Sequence, residues 1–277
     1  MNRKIIPEIP VIDNYGNEVD YVFNLLQAVF AVTGKVVDIA EIAVYSGMAN
    51  RFVWIPGKWA GGNESIESIN ETPFETEICI LKTFGWDAEC IIVKRDSDNK
   101  LLSPGKERIR QDFVDAIDKD HPVLYRTLNC HRLNMIIGYE NDGSKIVSKD
   151  AVDPVNGVHT DSETVFRDNW EEIITEYILL KKKIETASER DRILDVLKMI
   201  VARARITVDI CGKNVGFAAW ESYLHDLEFD DFSVLSLDEV QSRFGIYCDG
   251  LCQIWGRNAS LPYFHLLHIR ELSLQFI

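Results

Sequence analysis

The sequence predicts an α+β fold followed by an all-helical C-terminal part, and three observations predict it. A helix-length apolar segment, Asp20 to Val32, stands near the front of the chain. A run of β formers, Leu133 to Tyr139, is followed by Asn141-Asp142-Gly143 and a second run, Ser144 to Ser148, which is the pattern of an antiparallel hairpin whose tight turn needs positive-φ residues. After Ser188 the apolar residues Ile193, Val196, Leu197, Ile200, Val201 and Ala204 recur at helical spacing, and further helical segments follow. The change of texture sets a boundary, with an α/β domain over residues 1–185 and a helical domain over 186–277.

In chain order, the first helix is apolar round most of its circumference (Val22, Phe23, Leu25, Leu26, Ala28, Val29, Phe30, Val32) and closes at Gly34, so it should be buried nearly all round. Its polar residues Asp20, Asn24 and Gln27 fall on one stripe, either a solvated edge or hydrogen-bonded to a neighbouring loop on the plain reading, or the wall of a polar cleft on the sharper one. A second helix is expected over Val37 to Tyr45 and a loop at Gly61-Gly62. Glu75 to Phe84 reads as a helix, Glu89 to Lys94 as a strand, and Glu107 to Lys119 as an amphipathic helix with Ile109, Phe113, Ala116 and Ile117 facing inward. From His121 the order is strand, loop, strand, turn, strand. Residues 152–157 read as part of a loop and Ile173 to Lys182 as a last strand.

With 277 residues, 46% of them hydrophobic, the chain can bury one large core or a core and a smaller one. A formal net charge of −14 repels a phosphate backbone, and no Lys/Arg stripe interleaved with aromatics offsets it locally, so nucleic acid is excluded as an expected partner. The longest apolar runs fall far short of the roughly 20 residues of a membrane span. Met1-Asn-Arg-Lys-Ile-Ile-Pro reaches proline before any long apolar segment, which argues against a secretory signal and for a cytoplasmic setting with reduced thiols. No membrane partner, cofactor or metal is expected; a homo-oligomer is compatible with the sequence.

The Asp20 helix, Ser46-Gly-Met-Ala-Asn-Arg-Phe52, the approach from Phe113 to Leu124, and Asn134-Met-Ile-Ile-Gly138-Tyr139-Glu-Asn-Asp-Gly143 together resemble bacterial proteins of the papain-like superfamily. The nearest groups are the bacteriocin-leader-peptidase-like proteins and the N-terminal domain of the butirosin-biosynthesis acyltransferase. Gly212-Lys-Asn-Val-Gly216-Phe-Ala-Ala-Trp220-Glu-Ser-Tyr-Leu224 is similar to a helix found downstream in many of them. The resemblance implies a papain-like fold, a buried helix packed on an antiparallel sheet. It further implies a thiolate at the leading end of that helix, a His on the facing strand and an Asn or Asp on the next.

Against that pattern, Asn17-Glu-Val-Asp20-Tyr-Val-Phe-Asn24 holds no Cys, Ser or Thr. In papain-like strands ending in Gly-Tyr the His lies six residues before the glycine, a place occupied here by Arg132. His131 is one position away and would face oppositely on an unbroken strand, which only a β-bulge would correct. Asp150 or Asp153 lies in the region of the third group. The first expectation is therefore a degenerate family member, not an enzyme, binding a small molecule or peptide in a cleft lined by Asp20, Asn24, Arg51, Trp54, Arg132 and Asn134. The alternative is a thiol-dependent amidohydrolase, peptidase or acyltransferase using Cys130, His131 and Asp150. Arg51 and Trp54 would suit a planar or acidic ligand, though packing explains a tryptophan equally well. Cys248, Cys252, His265 and His268 have the ligand count of a zinc site, but the cysteines fit one face of a helix as core residues, and that reading is preferred.

Overall fold

A computed structural model of the chain describes residues 2–10, 12, 21–47, 52–55, 73–128, 130–153, 157–207 and 213–256. In chain order the elements are β1 (Lys4–Ile5), α1 (Tyr21–Val32), α2 (Ile39–Ser46), β2 (Val53–Trp54), α3 (Glu75–Thr83), β3 (Trp86–Ile92), β4 (Lys94–Arg95), β5 (Leu101–Ser103), α4 (Lys106–Ile117), β6 (Val123–Thr127), β7 (Cys130–Glu140), β8 (Lys145–Asp153), β9 (Gly157–Asp168), β10 (Ile174–Lys183), α5 (Glu189–Arg205), β11 (Asn214–Val215), α6 (Gly216–Phe229) and α7 (Leu237–Gly256). The fold is α+β, and every strand pairing among the described residues is antiparallel. Among these residues no helix is long and apolar enough to cross a membrane.

The chain forms two compact units. The sequence boundary at 185/186 is linear, whereas the units are interleaved: α2 and β2 group with the elements after residue 186.

The first unit is built on a sheet in the order β3-β10-β6-β7-β8-β9, with β1 added to β7 through Lys4↔Tyr139 and Ile5↔Gly138. One face carries α4, whose Ile109, Phe113, Ala116 and Ile117 are buried against Val123, Tyr125, Ile136, Tyr177 and Leu179, as the amphipathic spacing requires. Phe113 stacks on Trp170 at 4.6 Å and meets the edge of Tyr177 at 5.0 Å. The polar tips of these rings are satisfied: Tyr177 donates to Asp112 Oδ2 at 2.8 Å, and Trp170 Nε1 donates to the Gly143 carbonyl at 3.1 Å, tying the β7–β8 turn to the core. In that turn Asn141, Asp142 and Gly143 all have positive φ, the conformation for which Asn, Asp and Gly are suited. The α1 helix lies against β7, and Val22, Phe23, Leu25, Leu26, Ala28, Val29 and Phe30 are all buried. A helix apolar all round needs such enclosure.

His121, at the approach to β6, sets its ring against the edge of Trp86 at 4.9 Å, and its Nδ1 is buried without a hydrogen-bond partner. Burial pushes its pKa down; a bond to the Leu180 backbone opposes that, and Lys119 and Lys183 add to it. The folded chain thus resists a proton that the unfolded chain accepts. The stability held by neutral His121 is complete above the ordinary value of about 6.5 and is lost as pH falls from there through the depressed folded value. We expect urea midpoints of the wild type to fall between pH 7 and 5 more steeply than those of His121→Gln, and the His121 ring to titrate by NMR below 6.5. A titration midpoint above 6.5 would contradict this account.

The second unit contains α2, β2, α5, β11, α6 and α7. It departs from an all-helical region at β11, which pairs with β2 through Asn214↔Trp54 and Val215↔Val53. Its core is aromatic: Phe52, Trp54, Tyr223 and Tyr247 are buried, with Trp220 stacked on Phe52 at 4.1 Å. Ser188 caps α5, its Oγ accepting from the Asp191 amide at 3.1 Å and donating to the Asp191 carboxylate at 2.7 Å. The positions Cys248 and Cys252 both lie on α7, one turn apart, while His265 and His268 lie outside the described residues. Among the described residues no group of three or more His, Cys, Asp and Glu could hold a metal ion.

Candidate functional site

The strand β7 begins at Cys130 and carries His131, Arg132 and Asn134 before it runs into Gly138 and Tyr139. Its pairing with β6 is regular from Val123↔Ile136 to Tyr125↔Asn134, and the two strands meet again at Thr127↔Cys130. Between those points three residues of β7, 131 to 133, stand opposite the single residue Arg126. The strand is therefore bulged where the sequence left His131 one position out of phase, and alternation counted back from Gly138 does not reach across the bulge. Asp150 lies on the adjacent strand β8. The side chains of Cys130, His131, Arg132 and Asp150 lie outside the described residues, as do Asp20 and Arg51 altogether.

Two of the predicted residues lie on elements that pack together. Asn24 of α1 and Asn134 of β7 are 8% and 3% exposed, and α1 packs on β7. Buried amides of this kind carry donors and acceptors that an apolar core would not supply. Gln27 takes the plainer of its two readings, its amide donating to the Val37 carbonyl at 2.8 Å in the loop after α1. Trp54 belongs to the second unit. It is 2% exposed, its Nε1 donates to Asp226 Oδ2 at 2.8 Å, and it presents no flat aromatic face to a ligand.

The charged centre of this region was not among the predicted residues. Opposite the bulge, the Arg126 guanidinium pairs with Glu176 of β10 at 2.7 Å and with Glu77 of α3 at 3.4 Å, and lies 4.1 Å from the Phe74 ring centre. Glu77 is fully buried. The planar guanidinium suits this place because it can bond carboxylates at its edge and stack on an aromatic by its face. The sequence signal was present: Arg126 ends an apolar run in Val-Leu-Tyr-Arg-Thr, and Glu176 interrupts Ile-Thr-Glu-Tyr-Ile-Leu-Leu. Lone charges inside strands of that kind are either surface points or buried partners.

Cys90 of β3 lies near the same group. Burial first, and then the negative charge of Glu176, push its thiol up to about 11, with Arg126 pulling the other way. A thiol held there is protonated at neutral pH and is a poor nucleophile.

No protein-family model matches the chain, and no curated protein matches it. The site's described members are two buried amides and a guanidinium neutralised by two carboxylates, beside a bulged strand end.

Proposed function

We propose that the first unit is a papain-like scaffold that binds a small molecule or peptide beside the start of β7 and does not run thiol hydrolase chemistry, in a cytoplasmic setting that keeps its cysteines reduced. One observation carries the reading. The enclosed helix α1, packed on the strand that ends in Gly138-Tyr139, has no Cys, Ser or Thr in the segment Asn17 to Asn24 that leads into it. Without a nucleophile at that point a thiol protease of this architecture has nothing to attack with. The buried amides of Asn24 and Asn134 support a polar ligand, and Arg132 on the same strand as Asn134 completes the proposed contacts within the first unit.

The β7 bulge favours a second reading, an amidohydrolase, peptidase or acyltransferase in which Cys130 and His131 act with Asp150. A break in alternation removes the objection that neighbouring residues on a regular strand face apart.

Labelling with iodoacetamide across pH 6 to 9, read by mass spectrometry at each cysteine, separates the two. The binding reading expects Cys130 to react as an ordinary thiol, its rate rising toward a pKa of about 8.5, with Cys90 slower still. A half-maximal rate at Cys130 below pH ~7, together with amide hydrolysis that disappears in Cys130→Ala, would establish the enzyme instead. On the binding side, titration with dipeptides and acylated amino acids should shift the Asn24 and Asn134 side-chain amide signals in NMR spectra. Signals that stay fixed across that panel while melting is also unmoved would count against a ligand there.

A further inference from the structure

The turn between α3 and β3 ties several parts of the first unit together. The Phe84 carbonyl accepts from Lys35 Nζ at 2.8 Å, and the Gly85 carbonyl accepts from the Ile184 amide at 2.9 Å, which closes the chain after β10 onto the start of β3. The closure is tight, since a Cβ on Gly85 would lie 3.1 Å from Thr186 Cγ2 and 3.3 Å from the Ile184 carbonyl oxygen. Lys183 sets its ammonium 5.5 Å from the Trp86 ring centre and donates to the Thr33 carbonyl at 3.4 Å, joining β10 to the end of α1.

His121 packs on the same tryptophan, in surroundings built for a neutral ring. It bonds to the Leu180 backbone, while its Nδ1 is shut off from solvent and meets no donor or acceptor. A proton added at Nδ1 becomes a buried donor without an acceptor, and it brings a positive charge among positive charges. The groups that face the ring are Lys119 and Asp120 from the turn after α4 and Lys183 from β10, while β3 brings Trp86, which does not titrate. Asp120, the acid of this set, is 59% exposed and already pairs with Lys4 at 2.8 Å. An imidazolium in such a place is better solvated outside it.

We propose that His121 is an acid-operated latch: protonation drives its ring out from beside Trp86, and the corner formed by Trp86, Lys183 and the Ile184–Gly85 closure opens while the rest of the unit stays folded. The acid loss of stability then begins at this corner instead of being spread over the unit, and through Lys183 it reaches the last turn of α1. Openings of this local kind are how a folded unit responds to a signal without unfolding. The inference is independent of what the first unit binds.

NMR of the full chain from about pH 7.5 to about pH 5 tests it. The Trp86 ring N–H signal is expected to move with the same midpoint as the His121 ring, below about 6.5. Over that range the Ile184 amide should lose protection at least about fivefold, while β7 and β8 amides exchange far more slowly than Ile184 throughout and the far-ultraviolet circular dichroism is unchanged. His121→Gln, whose amide can still donate to Leu180 but takes up no proton, should leave the Trp86 signal and the Ile184 protection flat. Lys183→Met, which removes one facing cation, covers the case in which that variant does not fold: the His121 midpoint should then rise. A Trp86 signal that ignores pH, or follows it equally in His121→Gln, overturns the proposal. So does a midpoint above about 6.5, which would mean that the indole holds the charged ring. Opening only together with loss of β7 protection would be unfolding of the whole unit and would overturn it equally.

Discussion

Arg126→Met should destabilise the first unit by about 3–5 kcal/mol, the usual cost of removing one member of a buried ion pair, and lower its melting temperature by roughly 10 °C for a unit of this size. The reason is geometric. Glu77 is fully buried, the Glu176 side chain is 17% exposed, and Arg126 is a cation that both carboxylates share. Methionine fills the space beneath Phe74 but takes the guanidinium away from both carboxylates. The double variant Arg126→Met/Glu77→Leu should recover much of the loss, because replacing both charges by apolar groups of similar volume removes the desolvation penalty as well as the attraction. Arg126→Lys should fall between, since an ammonium keeps the charge but neither the flat stack on Phe74 nor the fork. Cys90 gives a readout of the field itself. Arg126 lowers its pKa while Glu176 and Glu77 raise it, so in Arg126→Met the thiol should label even more slowly with alkylating agents at a given pH. If Arg126→Met melts within about 1 kcal/mol of the wild type, the triad is not the anchor described here.

The same triad shows why part of the region escaped a reading of the sequence. Its members sit at 77, 126 and 176, about fifty residues apart, and each alone reads as a surface charge. Only the β10–β6 register, which sets Glu176 beside Arg126, brings two of them together, and α3 supplies the third. The elements that were legible are those whose pattern is local. The α1 helix is apolar over nearly every position, the α4 inner face recurs at helical spacing, and Asn141-Asp142-Gly143 names its own turn. By contrast no strand is expected over β9: at Thr164 and Phe166 it is exposed, and an edge strand with little to bury carries no alternation to detect. The bulge at residues 131 to 133 is of the same kind. It follows from where β6 and β7 can both pair, and no residue type announces it. The grouping of α2 and β2 with the later helices likewise rests on a pairing between residues 53–54 and 214–215, a separation over which composition says nothing. Trp54 illustrates the result: as a residue in a loop it suggested a ligand surface, and as the neighbour of Tyr223 and Tyr247 it is core.

Gly138→Ala should cost about 2–3 kcal/mol, at the upper part of the range for overpacking, and should loosen β1 selectively. A Cβ at this position would lie 2.6 Å from the Lys4 carbonyl oxygen and 2.9 Å from the Ile5 Cα. Both are backbone atoms, so no side chain can turn aside to make room, and the strand itself must shift. What holds β1 in place is a small set of contacts: the Ile6 amide donates to the Ile137 carbonyl at 2.8 Å, Lys4 Nζ pairs with Asp120 at 2.8 Å and donates to the Asp118 carbonyl at 2.8 Å, and Tyr139 donates to Asp118 Oδ1 at 2.8 Å. The Arg3–Glu140 ion pair at 3.1 Å, the Asp142 amide on the Asn2 carbonyl at 3.2 Å and the buried Ile6 add to these on either side of a strand of two residues. The expected signature is therefore local as well as global, with the Ile6 amide exchanging with solvent much faster in Gly138→Ala while amides of β6 and β10 keep their protection relative to the global stability. Gly105→Ala is the control: a Cβ there meets no atom within 4 Å, so its cost is limited to the poorer N-cap that alanine gives α4, about 1 kcal/mol or less, with no faster exchange at Ile6. The same reasoning gives the Gly-Tyr pair of β7 a structural meaning that needs no catalysis: the glycine admits β1 and the tyrosine binds the end of α4 through Asp118. A Gly138→Ala protein with wild-type melting and unchanged exchange at Ile6 would show that β1 is not seated on β7, and with it would go the physical reason for the glycine.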